Sequence, residues 1–229
     1  YQTREQGKTD GILRRYLKAR GNIPWYYLRL PVEERESLGE FDPVRFGLQT
    51  YQLRKAFYGV NNFSLRSKHN VSAYLKLEKH YKEALLLSDE VYKEGYNNLK
   101  LSDKKLPAED EINKKLGQLK ALGLIEADRI DSAFNSYKEL LSYNNLQIEI
   151  LQYNSNFNLC NALEQDKESK ERMQFLENAR KKGEAAVVLR WLTLLEKADS
   201  LLTSWSYLAS DYYARGKYDE AVAIAKYVV

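Results

Sequence analysis

Residues 205–221 read WSYLASDYYARGKYDEA, the clearest structural signal in the chain. Trp205, Leu208 and Tyr212 recur at intervals of three and four residues, which places them on one face of a helix. Gly216 then breaks that helix, and a second helix begins two residues later. Ala221 is a small residue that lets the two helices approach closely. The stretch therefore predicts a hairpin of two packed helices.

The same spacing of apolar residues runs through nearly all of the 229-residue chain. Period-two alternation between Asn-Gly or Asp-Gly turns is absent, and 11 Gly with 4 Pro cannot supply the turns of a β-sandwich. We therefore predict an all-α protein. About twelve helices are expected, at residues 10–20, 26–38, 43–59, 63–78, 81–96, 108–126, 130–143, 146–164, 168–182, 184–197, 199–215 and 218–229. Asp42 is a good N-cap for the helix that begins at Pro43. A long loop or hinge is expected at 97–109.

Two earlier segments, one around Ala84 and one around Ala133, share the hairpin pattern. Together with residues 205–221 they resemble tetratricopeptide (TPR) repeats, which are helix–turn–helix units of roughly 34 residues. The alanines of the three segments lie 49 and 88 residues apart, so the repeats are irregular. The resemblance implies a right-handed superhelix of stacked antiparallel hairpins, an α-solenoid that forms a single domain over residues 1–229. A compact helical bundle is the alternative.

The resemblance also implies a function. A TPR-like superhelix has a concave surface, lined by the first helix of each hairpin, that grips a peptide or a partner helix. The chain would then be a protein–protein interaction scaffold, as a subunit or adaptor of a multiprotein assembly. The positions that would face this surface include Arg66, His69, Ser206, Ser210 and Tyr213. The Lys–Asn pair with which some family members clamp a C-terminal carboxylate is absent.

The helix predicted at 146–164 carries a more local candidate. Asn154, Asn158 and Asn161 fall on one helical face, beside an apolar stripe that contains Phe157. An Asn amide both donates and accepts hydrogen bonds, which suits contact with the backbone of an extended peptide. We expect these three residues to bind the partner; the alternative is that they face solvent or bond to one another.

A basic segment gives the second functional hypothesis. Residues 44–77 contain no Asp or Glu, and aromatic residues are interleaved with cations. Such a segment can hold single-stranded nucleic acid or an acidic peptide, which would make the chain a ribonucleoprotein-associated subunit. The alternative is a set of core aromatics with solvated cations. The candidate side chains in segment 45–76 are Arg45, Arg54, Lys55, Lys68 and Lys76. A third hypothesis is a peptide-sensing regulatory domain.

Catalysis and cofactors find no support in the sequence. The phosphate-binding, dinucleotide-binding, zinc-protease and nucleophile-elbow motifs are all absent. Two histidines and the single Cys160 leave little for a zinc site, and Cys160 lies within an apolar stripe typical of a buried hydrophobe. We predict no enzyme, no metal, no cofactor and no small-molecule substrate.

Net charge and hydropathy limit the remaining classes of protein to which the chain could belong. The net charge of +4 is too mild to indicate a nucleic-acid binder by itself, and no apolar run is long enough to span a membrane. We expect a soluble, intracellular protein, in the cytoplasm, since one cysteine is compatible with a reducing compartment. The chain begins with Tyr, and residues 223–229 are apolar apart from Lys226. We therefore expect a longer protein, or a second chain that covers this end.

Overall fold

The computed structural model describes residues 4–99, 106–143, 145–193 and 198–229. Within these ranges the chain is helical, with no β-strand, so the prediction of an all-α protein is confirmed. The helices are α1 (Arg4–Arg29), α2 (Val32–Ser37), α3 (Pro43–Tyr58), α4 (Asn62–Leu77), α5 (Tyr81–Asn98), α6 (Glu109–Ala121), α7 (Ala127–Tyr137), α8 (Asn145–Leu163), α9 (Lys170–Thr193), α10 (Asp199–Ala214) and α11 (Tyr218–Val228). A 3₁₀ turn at Lys138–Ser142 follows α7, where a continuous helix was predicted.

The predicted boundary between the first two helices was wrong. A break was expected between residues 20 and 26, but α1 continues through Gly21 and Pro24. Pro24 has no N–H to donate to the carbonyl of Arg20. One residue later, the carbonyl of Gly21 accepts a hydrogen bond from Tyr74 Oη over 3.2 Å. Packing against α4 therefore holds α1 together at the position where local sequence predicts its end.

The predicted break at residue 183 was also wrong, because α9 is a single helix. Gly183 lies inside it, and a Cβ at this position would stand 2.9 Å from Ser155 Oγ on α8. The glycine is there to let α8 and α9 approach closely. Ser155 Oγ then donates to the carbonyl of Ala179 over 2.7 Å, which joins the two helices directly.

The chain forms two compact units, Tyr1–Leu87 and Ser88–Val229. The predictions of one domain and of a right-handed superhelix over the whole chain stay predictions. Of the predicted hinge at 97–109, residues 100–105 lie outside the described residues, and residues 97 and 98 form the last turn of α5.

The N-terminal unit is built on α3, which packs against both α1 and α4. Asp42 caps α3 as predicted, since its carboxylate accepts from the N–H of Arg45 over 2.8 Å. The guanidinium of Arg54 fixes the three helices together: it donates to the carbonyl of Leu17 over 2.6 Å and to that of Phe63 over 3.0 Å. A buried polar side chain therefore acts as the tie between α1, α3 and the start of α4.

The C-terminal unit is built around α9, against which α6, α7, α8 and α10 all pack. The hairpin predicted from residues 205–221 is present as α10 and α11, with Gly216 in the turn. Trp205 and Leu208 are fully buried in its core, and Ala221 is buried as well. The amphipathic pattern of this stretch thus predicted its packing face.

The core position of Leu208 gives a first test of this architecture. Leu208→Ala deletes a side chain with 0% exposure, so we expect it to lower the free energy of unfolding by about 2–5 kcal/mol. The matched control is Leu163→Ala on α8, where 57% of the side chain is exposed and the expected change is below about 0.5 kcal/mol. Urea denaturation followed by circular dichroism measures both. Equal effects of the two substitutions would contradict the packing of α10.

Candidate interaction surfaces

The three asparagines of α8 do not face a groove, which corrects the prediction made for them. Asn154, Asn158 and Asn161 are only 1%, 2% and 1% exposed. The Asn158 amide donates to the carbonyl of Asn154 over 2.7 Å, and the Asn161 amide donates to that of Phe157 over 2.9 Å. Asn154 donates to Asp89 on α5 over 2.6 Å. Because α8 is enclosed on nearly all sides, these amides are part of the core.

A second buried polar group joins α8, α9 and α10. The Arg190 guanidinium donates to Gln152 Oε1, to the carbonyl of Ser200 and, over 2.9 Å, to Ser204 Oγ. Ser204 Oγ in turn donates to Gln152 Oε1 over 2.6 Å. Burial lowers the pKa of Arg190. These contacts pair Gln152, Arg190 and Ser204 with one another inside the core, so the three side chains have a structural role.

Asn158→Asp tests the structural role of the α8 asparagines. A carboxylate cannot donate to the carbonyl of Asn154 and would bring a charge into the core, so we expect a loss of at least about 2 kcal/mol in the free energy of unfolding. Asn135→Asp, at an exposed position of α7, is the matched control and is expected to change stability by less than about 0.5 kcal/mol. Denaturant unfolding at neutral pH measures both. A stable Asn158→Asp protein would contradict the structural role of this asparagine.

His69 is likewise buried, so its predicted place on a binding surface was wrong. Burial, reinforced by the positive charge of Arg66, lowers the pKa of His69 to about 3. The imidazole is therefore neutral at physiological pH and belongs to the core of the N-terminal unit. Arg66, three residues earlier on α4, is exposed.

The fold places the cations of the basic segment 45–76 in different environments, some buried and some exposed. Arg54 is buried, where it binds backbone carbonyls and lies 3.9 Å from the Phe63 ring centroid, so it cannot contact an anionic partner. The amines of Lys55 and Lys68 lie 5.6 Å and 5.4 Å from the centroid of Tyr51. That ring is buried and offers no stacking platform for a base. Arg45 is exposed and Lys76 is half-buried.

In contrast to the buried candidates above, the outer side of the C-terminal hairpin is exposed to solvent. Ser206, Ser210 and Tyr213 lie on the face of α10 directed away from its core residues, and all three are exposed. Tyr213 packs edge-on against Tyr218 of α11, with 5.2 Å between ring centroids. Val222 continues the exposed stripe one turn further along α11. We call these five residues the hairpin face.

A charged pocket of about 450 Å³ lies between α7 and α9 and is the best candidate for chemistry in the C-terminal unit. Its buried acid, Glu184, accepts hydrogen bonds from Arg180 over 2.6 Å and from Tyr212 over 3.0 Å. Arg129 adds an ion pair at 3.6 Å. Hydrogen bonds from Arg180 also hold the pKa of Glu177 down at about 2. Both acids are therefore paired with Arg side chains, which suits a structural ion-pair network better than acid–base catalysis.

Asp211 on α10 is the one buried acid beside this network that the structure leaves without a hydrogen bond within the described residues. Burial raises the pKa of its carboxyl to about 7, against the opposing positive charge of Arg215 and with a further upward contribution from the negative charge of Glu184. Sequence reasoning missed Asp211 because an acid next to Tyr212 gives no sign of burial. Across the described ranges, no group of His, Cys, Asp and Glu side chains is arranged to hold a metal ion.

Asp211 predicts a pH dependence of stability. Below the ordinary pKa of 3.8 the carboxyl is protonated in both the folded and the unfolded chain. Between pH 3.8 and about 7 the unfolded chain releases the proton while the folded chain keeps it, so stability falls as pH rises. Asp211→Asn removes this loss, and we expect the variant to gain at least about 2 kcal/mol relative to wild type between pH 4 and pH 8.

Guanidinium denaturation at several pH values measures this difference. The exposed Asp219→Asn on α11 is the control and is expected to follow the wild-type profile. Parallel stability profiles for wild type and Asp211→Asn would show that the Asp211 carboxyl titrates normally.

Comparison with known proteins gives two structural similarities. No family model matches the chain, and no curated protein matches its sequence. Two solved structures of nearly identical TPR-like repeats, from a Podosopora anserina protein described as a kinesin light chain, align over 94% of this chain. One, a single-substitution variant, is 14% identical at a TM-score of 0.37 with 93% of its own length covered. The other is 15% identical at 0.36 with 94% covered. Both TM-scores are below 0.5, so neither assigns a function to this chain.

Within the described ranges, no helix combines the length and the hydropathy needed to cross a bilayer.

Proposed function

We propose that this chain is a protein–protein interaction module that binds a peptide or a partner helix on the hairpin face. The observation that carries the proposal is the exposed pair Tyr213 and Tyr218, which are 66% and 58% accessible and lie in ring contact. Tyr is enriched among the residues that dominate binding energy at interfaces, since its ring buries a large area and its hydroxyl can still form a hydrogen bond. The proposed role is binding without catalysis.

The scaffold beneath the tyrosines supports this role. Trp205 and Leu208 on α10 and Ile224 on α11 are fully buried, so the hairpin that presents the pair is anchored in the core of the C-terminal unit. Ser206 and Ser210 donate their hydroxyl hydrogens to carbonyls four residues earlier, over 3.0 Å and 3.1 Å. Their oxygens keep lone pairs that can accept hydrogen bonds from the backbone N–H groups of a peptide.

The test is to place a photo-crosslinking amino acid at position 213 and recover partners from native extract, with and without nuclease. The identified partner is then titrated against purified chain. We expect Tyr213→Ala combined with Tyr218→Ala to weaken binding by at least about tenfold. Phe57→Ala on α3 is the matched control, because Phe57 is an exposed aromatic residue outside the hairpin face.

Two outcomes would overturn the proposal. Equal binding by the double variant and the Phe57→Ala control would show that the hairpin face is not the binding surface. Loss of every partner on nuclease treatment, with affinity that falls steeply with salt, would instead favour the ribonucleoprotein hypothesis. In that case the exposed cations Arg45 and Arg66 would be the first residues to substitute.

A further inference from the structure

The outer face of α1 carries an apolar stripe that nothing in the described chain covers. Its members are spaced four, three, four and three residues apart, and we call them the α1 seam. They are Ile12, Tyr16, Ala19, Ile23 and Tyr26. The four large side chains are 69%, 55%, 45% and 67% exposed, in that order, and Ala19 is exposed as well.

The α1 seam is separate from the face that α1 uses to join the core. Leu17, Gly21 and Pro24 are buried on the opposite side of the helix, toward α3 and α4. A helix with one buried face normally exposes polar residues on the other. Here the second face is apolar along the same length, which indicates a second packing surface.

The spacing of the α1 seam identifies the kind of surface it fits. Alternation of four and three residues averages 3.5, the hydrophobic repeat with which two helices pack as a coiled coil. The seam covers two such repeats, a length of roughly 21 Å along the helix axis. Ala19 lies at its centre, between Tyr16 and Ile23, and leaves room for a large side chain from a facing helix.

Charge beside the seam identifies the chemistry of the partner. Residues 11–32 contain five Arg and Lys and no Asp or Glu. Arg15 and Arg29 flank the seam, with Lys18 one position further round the same side, and all three are exposed. Positions that flank a coiled-coil seam choose the partner through opposite charge. A partner helix with Asp or Glu at its flanking positions would complement this side.

We propose that the α1 seam binds a helix of another protein that carries an apolar heptad stripe flanked by acidic residues. A second copy of this chain fits poorly, because parallel and antiparallel pairing would both set cations against cations. An anionic membrane would attract the cations too, but a stripe of two positions in seven with Ala19 at its centre inserts little apolar surface. The α1 seam shares no residue with the hairpin face, so either proposal can fail without the other.

The experiment uses the full chain and three fluorescent probes. The first is a three-heptad peptide with Leu and Ile at the seam positions and Glu at the flanking positions. The second is the same peptide with Lys in place of Glu. The third is a vesicle of equal parts phosphatidylserine and phosphatidylcholine. We expect fluorescence anisotropy to show binding of the Glu peptide, with the Lys peptide bound at least about tenfold more weakly.

Two variants of the chain test the seam itself. Ile23→Glu places a charge within the apolar stripe, and we expect it to weaken binding of the Glu peptide by at least about tenfold. Leu86→Glu on α5 is the matched control, since Leu86 is also an exposed aliphatic residue but lies outside the α1 seam. Arg15→Glu combined with Lys18→Glu should reverse the preference toward the Lys peptide. A general loss of folding could not produce such a reversal.

Four results would overturn the proposal. The Glu peptide could fail to bind wild-type chain, or could bind the Ile23→Glu and Leu86→Glu variants equally. Vesicle binding that Ile23→Glu abolishes, without peptide binding, would assign the face to a lipid surface. A concentration-dependent dimer in analytical ultracentrifugation that Ile23→Glu abolishes, again without peptide binding, would assign it to a second copy of the chain.

Discussion

The close contact between α8 and α9 is the constraint on which the C-terminal unit depends. Ser155 donates to the carbonyl of Ala179, and Gly183 one turn later has no side chain to hold the helices apart. Since α6, α7 and α10 also pack against α9, α9 is buried from Gly183 to Leu192, and α8 beside it is buried over most of its length. Polar groups on them must then find partners inside the protein, as Asn158 and Arg190 do.

The same constraint explains what could be predicted from sequence in this unit. α10 has one buried and one exposed side, so the spacing of Trp205 and Leu208 identified both its packing face and its exposed face. α8 is enclosed, and its apolar stripe has no solvent-facing opposite side. Asn154 and Asn158 therefore suggested a surface in the sequence although they are buried. Residue type alone cannot separate the two cases, because an amide is satisfied equally by water or by a neighbouring backbone.

In the N-terminal unit, structure fixed by local interactions could be predicted from the sequence, and structure fixed by long-range interactions could not. Asp42 followed by Pro43 is a local helix-start signal, and it predicted α3 correctly. The break expected at Pro24 was prevented by contacts from far along the chain, which no local pattern reveals: Arg54 reaches the carbonyl of Leu17, and Tyr74 reaches that of Gly21. The α1 seam crosses this position, so its repeat is visible only once α1 is known to be continuous.

Burial also distinguishes side chains that a partner could reach from side chains whose residue type suggests binding although they lie in the core. An enclosed amide such as that of Asn158 already has a hydrogen bond to its own helix, so a ligand would have to break that bond and open the core. Tyr213 and Tyr218 already lie against each other on an anchored hairpin. A partner that covers them gains apolar contact area with little further loss of side-chain entropy. A helix that packs on one side only can therefore bind a partner on its other side without disturbing the core. Within the described chain, α1 and the α10–α11 hairpin both meet that condition.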